Sequence, residues 1–158
     1  MANTASLCTS FLAELMTGTH NFGVAPIRAA TTADTFKGAL YLASATYNAS
    51  TTAYSTTGEV SGTNYTAGGV TVTNATAPAS TNTSATAGTA YWTPSASLVY
   101  TNVTLTTAFD TVLIYNSTQS NKAVGVYTFG SQTITAGTFT LTMPSNTTST
   151  ALIRIATT

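Results

Sequence analysis

The sequence predicts a mainly β protein: a β-sandwich or jelly-roll-like domain with one short N-terminal helix. Three observations carry this expectation. Thr supplies 39 of the 158 residues, and Thr is β-branched, stiff at χ1 and at home in strands. Short apolar segments alternate with polar residues between turn formers, the pattern of a sheet protein. Eight Tyr, six Phe and one Trp fall largely within those segments, in a chain that is 43% hydrophobic, which argues against disorder.

The elements follow in order. Residues 5–17 are the one segment with helical period: Leu7, Phe11, Leu12, Leu15 and Met16 share a face. Thr4 or Ser6 can cap its start and Gly18 can end it. A helix this short is not stable alone and must pack on the body or on a partner. Residues 1–18 are therefore read as a helix or arm, and 19–158 as a single β-sandwich domain. Residues 19–33 read as an extended connector interrupted by Pro26. A strand is expected over about 35–43, with Gly38 marking a bulge or a close backbone approach. Residues 44–69 form a long irregular stretch, closed by Gly68-Gly69 as a packed turn. Further strands are expected over 70–75, 90–93, 97–105, 109–115, 123–129, 132–135, 138–143 and 151–156, with 76–88 a surface loop. Residues 116–121 read as the loop of a hairpin. The whole is eight or nine short strands at regular spacing.

Composition narrows the function classes. Only 5% of residues are charged, against about 25% in an ordinary soluble domain. Four Lys and Arg balance four Asp and Glu, so there is no basic footprint for nucleic acid. No segment is long and apolar enough for a transmembrane helix, and the first residues lack the pattern of a signal peptide, so no membrane partner is expected. One His and one Cys cannot furnish a zinc site, no acidic loop suits calcium, and no metal or cofactor is expected. Cys8 reads as a buried free thiol. A nucleophilic triad would have to use His20, which lies in the connector without a nucleophile motif beside it. Glu14, Asp34, Glu59 and Asp110 lie on four different elements, a poor start for a paired-carboxylate site. No catalytic residues are assigned, and the chain is expected not to be an enzyme.

Two groups of residues remain as binding candidates. Leu7, Phe11, Leu12, Leu15, His20, Phe22 and Arg154 form the candidate interface. Arg154 stands out within Ala151-Leu152-Ile153-Arg154-Ile155-Ala156, where it is expected to pair with Glu59 or Asp110 or to cross a subunit interface. Tyr54, Tyr65, Tyr91 and Trp92 are a candidate glycan platform, set against the alternative that these rings are core or subunit contacts.

An ordered series of short motifs carries a resemblance. It runs Gly18-Thr19-His20-Asn21-Phe22, Asp34-Thr35-Phe36-Lys37-Gly38-Ala39-Leu40-Tyr41, Ser44-Ala45-Thr46 and Thr51-Thr52-Ala53-Tyr54. Glu59-Val60-Ser61-Gly62, Tyr65-Thr66-Ala67-Gly68-Gly69, Leu113-Ile114-Tyr115-Asn116, Asn121-Lys122-Ala123-Val124, Phe129-Gly130 and Ile153-Arg154-Ile155-Ala156 follow. The series resembles a family of small virion structural proteins of tailed bacteriophages and prophages, similar to capsid cement or decoration proteins. It spans nearly the whole chain, with residues 70–108 least distinctive and the Thr/Ala/Ser run at 76–88 a departure. The resemblance implies a non-enzymatic protein made in the host bacterial cytoplasm and carried on the outer capsid surface of the virion. It also implies partners: the major capsid protein, and self as a homotrimer. A neck, tail or fibre-associated virion protein and a carbohydrate-binding surface module are the alternatives.

Overall fold

The computed structural model describes residues 3–16, 18–20, 22, 33–73, 77–81 and 88–156. It is mainly β, with two antiparallel sheets and almost no helix, consistent with a β-sandwich-like fold. The larger sheet has the order β1-β7-β6-β2-β3, built from Ser6–Leu7 (β1), Lys122–Leu141 (β7), Leu98–Asn116 (β6), Phe36–Leu42 (β2) and Val70–Thr71 (β3). The smaller joins Ala79–Ser80 (β4), Thr89–Trp92 (β5) and Ile153–Ala156 (β8). The only helix among the described residues is Thr9–Met16 (α1).

The N-terminal helix is shorter than its sequence pattern suggests. Ser6 and Leu7 pair with Val126 and Gly125 of β7, and the Cys8 amide donates to the Val124 carbonyl at 3.1 Å. Backbone pairing to a sheet edge satisfies these groups better than a frayed first helical turn would. At the other end Gly18 adopts φ 66°, and the Thr19 amide donates to the Glu14 carbonyl at 2.8 Å, so the helix stops where expected.

The expected sequence of short strands is corrected in one major respect. The segments 97–105 and 109–115 are one 19-residue strand, β6, and the segments from 123 to 143 fuse into the 20-residue β7. Four register shifts separate Tyr100 from Thr111 along this pair, and bulged ribbons bend. The bend is large. Gly38 of β2 pairs with Ile114, yet a Cβ on Gly38 would lie 2.5 Å from the Leu98 side chain. A straight strand would put positions 98 and 114 about 50 Å apart. The far arm of the β6–β7 ribbon thus curls back over β2, and the Tyr100 hydroxyl donates to the Gly38 carbonyl at 2.8 Å. Gly38 is therefore a site of close approach, and the β2–β6 register slips elsewhere, between Tyr41 and Leu42.

This curl encloses the core. Residues 111–116 of β6 and 123–126 of β7 are buried without alternation, as are residues 38–41 of β2, because both faces of the sheet centre are covered. The smaller sheet closes one side, where Trp92 of β5 reaches Phe36 of β2, ring centroids 6.3 Å apart. The expected strand over 70–75 is paired only at Val70–Thr71, and 74–76 lie outside the described residues. The expected loop at 76–88 contains β4, and its residues 82–87 lie outside the described residues. Most of the expected connector, residues 21 and 23–32, does as well.

Candidate functional site

Two polar networks, both built on residues from separate chain segments, hold the irregular regions to the sheet. The first surrounds His20, which is 8% exposed. Its Nε2 lies 2.7 Å from Glu14 Oε2, and Lys122 Nζ donates to Glu14 Oε1 at 2.5 Å. On the other side of the ring, Asn116 Nδ2 lies 3.1 Å from His20 Nδ1 and donates to Asp34 Oδ2 at 2.7 Å. Asn116 Oδ1 accepts the amides of Thr118 and Gln119, both at 3.1 Å, and Gln119 Nε2 donates to Asp34 Oδ1 at 3.3 Å.

These contacts fix the tautomer. The Asn116 oxygen is committed to the hairpin turn, so its NH₂ group faces the imidazole. Nδ1 must then accept, and Nε2 carries the proton donated to Glu14. Burial lowers the His20 pKa, and the pull of Glu14 and Asp34 only partly opposes this, so the ring is held neutral. Burial also pushes the Glu14 carboxyl up, but hydrogen bonds from Lys122 and His20 outweigh it and leave the pKa below its ordinary value.

Around this polar centre the rings of Phe11, Phe22 and Phe36 lie 5.0, 6.2 and 6.3 Å from the imidazole. Phe22 stacks on Phe36 at 4.4 Å and meets Trp92 at 4.7 Å. The imidazole bonds to Glu14 on one side and Asn116 on the other, with no hydroxyl or thiol between them, so the geometry is that of a latch fastening α1 to the β6–β7 turn.

The second network centres on Glu59. Tyr54 donates to Glu59 Oε2 at 2.7 Å, while Tyr65 at 2.8 Å and the Gly68 amide at 2.7 Å donate to Oε1. Tyr65 also accepts the Leu40 amide at 3.0 Å, and Tyr115 donates to the Gly68 carbonyl at 2.9 Å. Tyr54 stacks on Tyr115 at 4.7 Å. Burial first, and the nearby Glu59 charge next, raise the Tyr115 pKa to about 12, so this phenol stays a donor. One carboxylate thereby gathers the 44–69 segment, and Tyr65 together with the Val60 amide, which donates to the Leu40 carbonyl at 3.0 Å, holds it to β2. Gly69, at φ 72°, completes the turn where a Cβ would meet the Gly38 carbonyl oxygen at 1.8 Å.

The candidate residues divide accordingly. Phe11, His20 and Phe22 are in the core, and Leu7 and Leu15 pack against it half-buried, so α1 docks on its own body. The Leu12 side chain lies outside the described residues. Arg154 is exposed and pairs with neither expected carboxylate: its Nη1 donates to the Ser149 carbonyl at 2.7 Å. Glu59 is held as described, and Asp110 accepts Asn3 Nδ2 at 2.8 Å and Thr111 Oγ1 at 2.7 Å. Arg154 lines an open cleft of about 440 Å³ between the two sheets, with Leu7, Tyr127 and Leu152.

The glycan candidates do not form one platform. Trp92 is 2% exposed, the Tyr54 and Tyr65 hydroxyls are committed to Glu59, and Tyr91 sits apart on β5 opposite Arg154. Cys8 is buried and free, and burial raises its thiol pKa to about 11. Among the described residues no group of three or more His, Cys, Asp or Glu could hold a metal ion.

Sequence reasoning missed Asn116, the residue that organises the first network. Its position at a strand end before Ser117-Thr118 is the available signal, since Asn there caps the two amides that follow. Comparison with family models, with curated proteins and with solved structures returns no match.

Proposed function

We propose that the chain is a non-enzymatic virion structural protein of a tailed bacteriophage, a cement or decoration protein that bridges major capsid subunits on the outside of the head and stabilises them. The observation that carries this reading is the ordered motif series along the chain. Its members coincide with the residues that lock the fold. Asp34, Asn116 and Lys122 form the latch with His20, while Glu59, Tyr65 and Gly68 form the tyrosine hub. Locks of this kind suit a rigid, permanently assembled part. The low charge of the chain supports the same reading, because lasting subunit contacts are depleted of charge at their centres.

The test is the copy number of this chain in purified virions, by quantitative mass spectrometry and cryo-EM. The reading expects the stoichiometry of a capsid lattice and density on the outer shell. A few copies at one vertex would assign a neck or tail component instead, and absence from the particle would end the proposal.

A further inference from the structure

The edges of the larger sheet are not equally protected. The outer edge of β6 is covered where Thr63 bridges Thr104 and Asn64 Nδ2 donates to the Asn102 carbonyl at 2.9 Å. The start of β7 is covered by β1 at Gly125 and Val126. Beyond Val126, no described strand pairs with the outer side of β7. Natural edges are usually defended by charge, Pro or bulges. Not one charged residue occurs between Lys122 and Arg154. Bulges do defend the middle of this edge, where the register with β6 slips between Val103 and Thr111. The last slip, between Tyr100 and Val103, falls opposite Thr138 with the extra residue on β6, and beyond it Tyr100, Val99 and Leu98 pair in even steps with Phe139, Thr140 and Leu141. From Gly137 to Leu141 β7 carries no extra residue of its own, and the run is uncharged and open.

We propose that residues 137–141 are a self-association edge, pairing antiparallel with the same run of a second copy across a two-fold axis at Phe139. The argument for this occupant is self-complementarity. The run reads Gly137-Thr138-Phe139-Thr140-Leu141, so the two-fold sets Phe139 against its counterpart and Thr138 against Thr140 in both directions. Aromatic–aromatic and Thr–Thr pairs are favourable cross-strand partners. Phe139 is half-buried, with Phe109, Phe129 and Tyr100 ring centroids at 5.2, 5.3 and 5.9 Å. A second Phe139 extends that layer across the axis. The other open edges match poorly: β3 and β4 have two residues each, and β8 would place Arg154 against an apolar strand. This inference does not rest on the virion assignment.

The experiment uses the purified full chain. Sedimentation equilibrium of the wild type is expected to give a dimer, and Thr138→Lys combined with Thr140→Lys, both on the exposed face, is expected to weaken association at least about tenfold with unchanged circular dichroism. Ile155→Lys, on the exposed part of β8, is the control and should leave the dimer intact. A mixture of Thr138→Cys and Thr140→Cys chains should form a disulfide-linked dimer on oxidation, while either alone should form little. A monomeric or trimeric wild type, or a dimer indifferent to the paired Lys substitutions, would overturn the proposal. None of these outcomes bears on copy number in a virion.

Discussion

Burial holds His20 neutral with the Asn116 amide donating to its Nδ1, and reversing the polarity of that amide should reverse part of the response to acid. Asn116→Asp keeps the side-chain shape but replaces the donating NH₂ group with an acceptor. Two hydrogen bonds are lost, to Asp34 Oδ2 at 2.7 Å and to His20 Nδ1 at 3.1 Å, at a position with 0% exposure. A bond to a charged acceptor contributes about 1.5–3 kcal/mol and a neutral one about 1, so the loss at neutral pH is about 2.5–4 kcal/mol before repulsion between carboxylates is added. For a chain of this size that is a fall in Tm of roughly 5–16 °C. In the wild type, the folded His20 pKa lies below the unfolded one. The unfolded state therefore binds more protons, and stability falls as pH drops below the unfolded pKa of about 6.5. The Glu14 carboxyl, also held low, loses its contribution as pH falls further through its folded pKa. In the variant a carboxylate faces Nδ1, so the folded His20 pKa rises above the unfolded one. That contribution is present at low pH and disappears as pH rises. Urea denaturation followed by Trp92 fluorescence, at about pH 7.5 and pH 5.5, should show the deficit of the variant shrinking on acidification. A deficit below about 1 kcal/mol, or one that stays constant with pH, would refute the assigned tautomer and the latch built on it.

Three other outcomes follow from the same contacts. Glu59→Ala leaves the Tyr54 and Tyr65 hydroxyls and the Gly68 amide without their acceptor, and should cost roughly 3 kcal/mol or more in urea denaturation, with faster amide exchange across 44–69. Gly69→Ala should destabilise by several kcal/mol or abolish folding, because the new methyl would overlap the Gly38 backbone at 1.8 Å; a Tm within about 2 °C of wild type would contradict the turn. Cys8, buried with its pKa raised to about 11, should react with a thiol reagent only at the rate of unfolding, and prompt reaction of the native protein would contradict its burial.

The sequence made the class of fold legible, but not the geometry of its largest element. Alternation and Thr content located β2, β5 and the hairpin turn closely, since these depend on local pattern and turn chemistry. The merging of five expected strands into β6 and β7 was hidden, because Gly137 and the gaps at 106–108 and 130–131 read as breaks between strands. They are the flexible and bulged points of continuous strands, and only tertiary closure over Gly38 distinguishes a bulge from a break. Similarly, Glu14 and Asp34 are twenty residues apart in sequence and are joined through His20 and Asn116, the latter 82 residues beyond Asp34. Single-sequence pattern carries no information on such a meeting, so the carboxylates looked scattered when two of them shared one network.

The scarcity of charge therefore has a sharper meaning than a bland surface. Each of the four carboxylates is committed to hydrogen bonds: Glu14 accepts from Lys122 and His20, Asp34 from Asn116 and Gln119, and Asp110 from Asn3, while Glu59 gathers Tyr54, Tyr65 and Gly68 of its own 44–69 segment. In a chain whose sheet is dominated by small and β-branched side chains, strands are easily formed but irregular segments have little apolar surface with which to dock. A carboxylate that accepts two or three bonds at one position supplies that fastening, across distant segments at Glu14, Asp34 and Asp110 and within one irregular segment at Glu59. It also removes the charge from the surface, where it would otherwise guard exposed edges against other chains. Internal fastening and an undefended β7 edge are thus two consequences of one allocation of very few charges. The allocation suits a protein whose edges end in contacts with other chains, and it predicts that adding charge at 138 and 140 will leave the fold intact while changing what the protein associates with.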